Sequence, residues 1–251
     1  MKEITIKGVT IGSGIPKICV PIVAVNTEEI LKSAERAENS QADLVEWRAD
    51  FWEQIKDRKA LEKILENLQS ILKSKPLLFT IRTKGEGGEF TESIDSYTEL
   101  VKTAAKTADL VDVEIFMKGL EISELFEQVH KEGCKIVASN HDFFKTPQKE
   151  EIIERLIKMQ EADADIAKIA VMPESKKDVL TLLSATEEMV SQYADRPIVT
   201  MSMKGTGAIS RISGEIFGSA ITFGSLEKAS APGQVELSQL KTVLEIIHKN
   251  I

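Results

Sequence analysis

The sequence predicts an α/β protein: a closed (β/α)8 TIM barrel behind a short N-terminal β-hairpin, forming one domain over residues 1–251. Three observations predict it. A short apolar run, a polar turn and a helical pattern recur about eight times. Those runs carry charge on one face near their C-terminal ends. No Pro/Gly-rich linker or shift in composition divides the chain. With 251 residues, 42% of them hydrophobic, there is material for one large core. An open doubly wound sheet is the runner-up, because strand order is not written in a single sequence.

Taken in order, residues 3–12 alternate through Ile4, Ile6, Val9 and Ile11 around Lys7-Gly8, which is a hairpin pattern. The apolar runs follow at 18–24, 44–48, 77–82, 110–115, 135–139, 166–171, 198–203 and 220–224. Helical patterns lie near 27–39, 58–73, 94–107, 121–132, 148–160, 175–193, a short one near 206–217, and 234–249. Pro147 and Ser175 stand where helix starts are expected. Strand side chains alternate faces. Glu46 and Arg48 therefore share a face with Leu44, opposite Val45, Trp47 and Ala49. Thr80 and Arg82 lie opposite Phe79 and Ile81, Asp112 and Glu114 opposite Val111, Val113 and Ile115, and Lys168 opposite Ala167 and Val171. In a barrel the apolar face meets the helices while the charged ends converge on the mouth at the strands' C-terminal ends, where barrel enzymes work.

A net charge of -8 argues against nucleic acid or an anionic membrane as the main partner. No apolar run has the length of a membrane span, and Met1-Lys2-Glu3 leads into the alternating hairpin rather than a signal peptide. Cys19 and Cys134 lie in apolar runs without metal-ligand spacing and read as reduced core residues. The expectation is a soluble cytoplasmic protein.

The chemistry centres on Lys168, in the buried run Ile166-Ala167-Lys168-Ile169-Ala170-Val171. Burying an unpaired ammonium is costly, and losing the proton relieves the cost. The neutral amine in a dry pocket among aliphatic neighbours is a nucleophile toward carbonyl carbon. The plainer alternative is a lysine that faces outward at a strand end, or one that pairs with a carboxylate. Of the three histidines, His130 and His248 fall near helix C-termini and suit a surface interaction with the helix dipole. His141 follows the fifth run at once, beside the run bearing Lys168, and could shuttle protons. Arg48, Arg82 and Arg211 would bring positive charge to the same mouth to grip a carboxylate or phosphate, and would also favour the neutral amine. The Gly-bounded segment 224–234 has the composition of a lid, or of an ordinary barrel loop.

With these residues assembled, nearly the whole chain resembles the type I 3-dehydroquinate dehydratases, the Schiff-base-forming enzymes of the shikimate pathway. The resemblance rests on Glu46-Trp47-Arg48-Ala49-Asp50, Thr80-Ile81-Arg82, Glu86-Gly87-Gly88 and Ser139-Asn140-His141-Asp142-Phe143. It continues through 164–173, Met201-Ser202-Met203, Ile209-Ser210-Arg211, Gly218-Ser219-Ala220 and 229–234. It implies a (β/α)8 barrel, Lys168 as the imine-forming lysine, His141 as the acid/base and Glu86 as the carboxylate orienting it. It implies substrate contacts from Glu46, Arg48, Arg82, Met203, Arg211, Phe223, Ser230 and Gln234. Arg211, with Ser230 and Gln234 from the lid, would hold the substrate carboxylate, and Glu46, Arg48 and Arg82 the ring hydroxyls. The implied partner is a small molecule, 3-dehydroquinate, dehydrated in the third step of the pathway to aromatic amino acids. The resemblance also implies a homodimer, and no metal or organic cofactor, because the imine does the activating work. Pro21 departs from the pattern: some relatives carry a substrate-binding serine there, and proline has neither hydroxyl nor amide hydrogen. Two rivals share the scaffold. A Schiff-base class I aldolase would use the same lysine, with Ser213-Gly214 and Gly218-Ser219 as a phosphate cup. A catalytically dead, ligand-binding barrel would carry an impaired site.

Overall fold

The computed structural model describes residues 2–226 and 235–251. The lid segment's residues 227–234, and with them Ser230 and Gln234, lie outside the described residues. The chain opens with the antiparallel pair β1 (Ile4–Ile6) and β2 (Val9–Ile11). Lys7 and Gly8 between them both have positive φ, 48° and 79°, the tight turn that matches the strands' own twist. Eight parallel strands follow: β3 (Lys17–Ile22), β4 (Leu44–Arg48), β5 (Leu77–Thr80), β6 (Leu110–Glu114), β7 (Lys135–Asp142), β8 (Ile166–Val171), β9 (Ile198–Ser202) and β10 (Ile221–Ser225). Each pairs with the next from β3 to β9, and β10 returns beside β3. Between β9 and β10 the ladder narrows to one bridge, Ile198 with Ser219, and the Ala220 amide donates to Ile198 O at 2.8 Å. That contact closes the ring and removes the open-sheet alternative. A two-residue strand, β11 (Val235–Glu236), adds to the outside of β10.

The helices are α1 (Thr27–Glu38), α2 (Arg58–Ile71), α3 (Ile94–Ala105), α4 (Ile122–Lys131), α5 (Lys149–Glu161) and α6 (Lys176–Glu188). Two short ones, α7 (Ala208–Ile212) and α8 (Gly214–Phe217), precede β10, and α9 (Leu237–His248) ends the barrel. Their starts follow from capping chemistry: Asn26, Asp57 and Ser93 accept first-turn amides, and Ser175 with Asp178 forms a reciprocal capping box. Pro147 stands one residue ahead of its helix's cap, Gln148. The expected helix over 175–193 is regular only to Glu188 and finishes in a widened turn over Met189–Tyr193, where the Ala194 amide reaches Met189 O. The single short helix expected at 206–217 is two pieces parted at Ser213.

Two cores result. The outward faces of the strands pack under the helices around Trp47, Phe79, Tyr97 and Phe126. Inside the ring Cys19, Leu44, Leu78, Leu110, Val137, Ile166 and Val199 fill the lower half, and Ile4 and Ile11 of the hairpin pack against them. The hairpin thus stops the N-terminal end of the ring's interior, and the inward face turns polar toward the strands' C-terminal ends, where a pocket opens. Both cysteines are buried and free. His130 does not rely on the helix dipole alone: it pairs with Asp165 at 2.9 Å, and that carboxylate also takes the Ile136 amide. His248 likewise pairs with Glu215, at 2.7 Å. Among the described residues no helix is long and apolar enough to cross a membrane.

Candidate active site

The inward residues nearest the strands' C-terminal ends converge on one pocket. Glu46 and Arg48 reach it from β4, His141 from β7, Lys168 and Ala170 from β8, Met201 from β9 and Phe223 from β10. Arg82, Glu86, Phe143, Met203 and Arg211 complete it from the segments above the strands. Every described residue that the sequence offers for catalysis or substrate contact lines this pocket: Lys168, His141, Glu86, Glu46, Arg48, Arg82, Met203, Arg211 and Phe223. Pro21 lies in β3, half-buried and in register with Glu46.

Lys168 is buried as expected, but its surroundings differ from the aliphatic ones its strand predicts. Its Nζ lies 3.0 Å from Asp112 and 3.6 Å from Glu46, and 4.9 Å from the centre of the Phe223 ring. Neighbours within one strand are aliphatic. Ring closure supplies the carboxylates from β4 and β6, and the ring face from β10. Asp112 also accepts from Ser139 Oγ at 2.6 Å and pairs with Arg82 at 2.8 Å. Burial would push its carboxyl up, yet Arg82 and Lys168 hold it well below the usual carboxylate range. Asp112, Glu114 and Ser139 are functional neighbours that the sequence reading left out of the site. Their inward parity was the signal, and Asp112 and Glu114 were already on the polar face.

Arg82 is less free than a substrate-gripping arginine would be. Its Nη1 is 2.9 Å from both Glu114 and Ser139 and 3.7 Å from Glu86. Burial opposes its charge, but Asp112 and Glu114 outweigh that and hold the guanidinium protonated well above its ordinary value. Arg48 is paired bidentately with Asp50, both contacts at 2.8 Å. Arg211 is the contrast. It is 3% exposed, its Nε has no partner among the described residues, and its Nη1 lies 3.9 Å from the Met201 sulfur. Burial alone pulls it down to about 10.

His141 lies within β7, which runs to Asp142, rather than just past the strand. The neighbouring β8 extends the ladder, matching His141 to Ala170 and Asp142 to Val171. Its Nδ1 is 2.9 Å from Glu86 Oε2, and the same oxygen accepts the His141 amide at 2.8 Å. Glu86 is brought there by a turn only glycines allow. Gly87 has φ 80° and a Cβ on it would stand 2.4 Å from the Phe143 ring, while one on Gly88 would lie 2.1 Å from Arg82 O. Burial, with Glu114 adding to it against Arg82, raises Glu86 to about 7. Burial and the cations Arg82 and Lys168 push His141 well below its ordinary value. The imidazole is therefore neutral at pH 7. When Glu86 is ionised, donation from Nδ1 to it leaves Nε2 as the basic nitrogen. Among the described residues no group of three His, Cys, Asp or Glu side chains could hold a metal ion.

A buried amine, a neutral imidazole held by a carboxylate and a buried guanidinium whose Nε has no partner among the described residues share one pocket, and together can form an imine, move a proton beside it and hold an anionic group. Known proteins resemble the chain over nearly its whole length. A family model described as type I 3-dehydroquinase matches residues 18–251. A protein of Clostridioides difficile named 3-dehydroquinate dehydratase is 50% identical over 252 residues, covering 100% of this chain and 99% of that protein. One of Listeria monocytogenes with the same name is 51% identical over 251 residues, covering 99% of each. The crystal structure of a type I 3-dehydroquinate dehydratase from Clostridium difficile with covalently modified comenic acid superposes with a TM-score of 0.97 at 50% identity, covering 100% of this chain and 99% of that one.

Proposed function

The chain belongs to the type I 3-dehydroquinase family, and from that membership we propose that its pocket dehydrates 3-dehydroquinate to 3-dehydroshikimate through an imine on Lys168. The observation that carries the assignment to these residues is the meeting of buried Lys168 with the neutral, Glu86-anchored His141 in one barrel mouth. Lys168 passes a proton to the neutral His141, leaves its Asp112 contact and attacks the substrate ketone; His141 returns that proton to the carbinolamine hydroxyl, whose loss as water gives a protonated imine. The imine withdraws electrons from the adjacent carbon, so His141 Nε2 removes a proton there, with Glu86 stabilising the imidazolium. That proton then passes from His141 to the departing β-hydroxyl, which leaves as water. Hydrolysis of the imine frees product and returns the amine. Atoms balance: one water enters in hydrolysis, and two leave, one at imine formation and one at elimination.

Arg211 fits the substrate carboxylate, because a buried guanidinium short of acceptors gains most from an anion. Glu46, Arg48 and Arg82 fit the ring hydroxyls, and Met203 and Phe223 wall the ring. Ser230 and Gln234 are assigned beside the carboxylate on family resemblance alone. Arg82 acts from a fixed position, since its carboxylate partners already hold it. Residues 1–251 act as one domain, and family membership supports a homodimer working in the cytoplasm. The aldolase reading is weaker. It wants a phosphate cup at Ser213-Gly214 and Gly218-Ser219, whereas the guanidinium whose Nε has no partner among the described residues is that of Arg211, in the lining of the Lys168 pocket.

Borohydride reduction with 3-dehydroquinate, read by intact mass, tests the assignment. The expected result is a stable adduct on Lys168, absent in Lys168→Ala. His141→Ala should still form the adduct but turn over on the order of 10²–10⁴-fold more slowly. An adduct elsewhere, or none, removes Lys168 from its role.

A further inference from the structure

Behind His141 and Glu86 a second line of polar contacts leads out of the barrel. Asn140, next to His141 on β7, donates from Nδ2 to Glu86 Oε1 at 2.8 Å. Its Oδ1 accepts from Arg155 Nη1, on α5, at 2.7 Å. Arg155 is partly buried and braced by Glu151 one turn earlier, with Asp142 at 3.9 Å. The donor inventory makes this line directional. Arginine only donates, so an amide facing Arg155 must turn its oxygen to it. The amide's NH2 is then left facing Glu86, a carboxylate that only accepts. Without the guanidinium, the amide could turn over and present oxygen to oxygen.

We propose that Arg155 is a positioning residue: by locking the Asn140 amide it keeps a donor on Glu86 and so maintains the carboxylate that fixes the His141 tautomer. The inference rests on the functional reading above and assigns Arg155 no contact with substrate. Glu86 is faced by Arg82 at 3.7 Å from the end of β5, by Asp112 and Glu114 of β6, and by His141 of β7. From α5, Arg155 and Glu151 reach it only through Asn140. Two acidic neighbours and burial favour a protonated Glu86, while Arg82 and the Asn140 amide favour its ionised form. Removing the amide's fixed donor therefore moves the carboxyl toward protonation and withdraws the acceptor that His141 Nδ1–H needs.

The test compares parent, Arg155→Met, Arg155→Lys and the isosteric Asn140→Asp by kcat/KM against pH, with borohydride trapping in parallel. Arg155→Met should lower kcat about tenfold with KM within about twofold, and carry the acidic limb of the profile upward by roughly half a unit or more. Asn140→Asp, which sets a carboxylate against Glu86, should move the limb further. Arg155→Lys, still a cationic donor, should recover most of the loss. An unmoved limb in both Arg155→Met and Asn140→Asp overturns the inference, as does equal loss in Arg155→Lys and Arg155→Met with a parent-like profile. Trapping separates the two levels. A parent adduct on Lys168 beside an unmoved limb overturns this inference alone, whereas no parent adduct overturns the functional reading and this inference with it.

Discussion

Replacing Asp112 with asparagine should destabilise the barrel by about 3 kcal/mol. The carboxylate is fully buried and holds Ser139 at 2.6 Å, Arg82 at 2.8 Å and Lys168 at 3.0 Å. Asparagine keeps the shape but removes the charge, and its NH2 meets groups that themselves donate. Deleting one partner of a buried ion pair costs about 3–5 kcal/mol, since the other charge is left uncompensated. The lower end applies here because Arg82 keeps Glu114 at 2.9 Å and Lys168 keeps Glu46 at 3.6 Å. At about 2–4 °C per kcal/mol for a chain of this size, Tm should fall by roughly 6–12 °C in a thermal melt at pH 7. Adding Lys168→Met removes one stranded cation, so the double variant should lose less than the two single losses added. The effect has a pH signature. The Asp112 carboxyl is depressed on folding, so its contribution is complete above the ordinary value of about 3.9 and is lost as pH falls below that toward the depressed one. The gap between parent and Asp112→Asn should therefore narrow below about pH 4. A Tm within about 2 °C of the parent at pH 7 would refute the reasoning.

Three further outcomes follow from the site. Arg211→Met should raise KM for 3-dehydroquinate at least about tenfold while raising Tm slightly, because it deletes a buried guanidinium whose Nε lacks a partner among the described residues; a lowered Tm would show that the residue holds the fold. With Glu86 raised to about 7, kcat/KM should decline as pH drops through that value and the carboxylate stops accepting from His141; a profile flat down to pH 5 counts against it. Gly88→Ala places a Cβ 2.1 Å from Arg82 O, so the Glu86 turn must shift. kcat should fall about tenfold or more, and unchanged turnover would mean that the turn relaxes without moving Glu86.

Much of the architecture was legible because it is periodic. A period of two along each run separated the helix-facing side from the side bearing Glu46, Arg82, Asp112 and Lys168, and the Lys7-Gly8 pair marked the hairpin. The elements at 175–193 and 206–217 were read as more regular than they are, since periodicity does not register a widened turn or a break at Ser213. In the site, motif residues such as His141 and Glu86 were named from the chain. The roles of the groups behind them were not legible: Ser139 and Asn140 stand in the same motif, but they and Arg155 acquire their roles only through contacts with residues of other elements.

The sequence by itself determined which side chains face the barrel's interior, since alternation along a strand is a property of the backbone alone. Only the tertiary structure decided that Lys168 sits against Asp112 and Glu46 rather than among aliphatic groups. Those carboxylates come from strands 56 and 122 residues away in the chain, and which strand neighbours which across a closed ring depends on closure and shear, not on any local pattern.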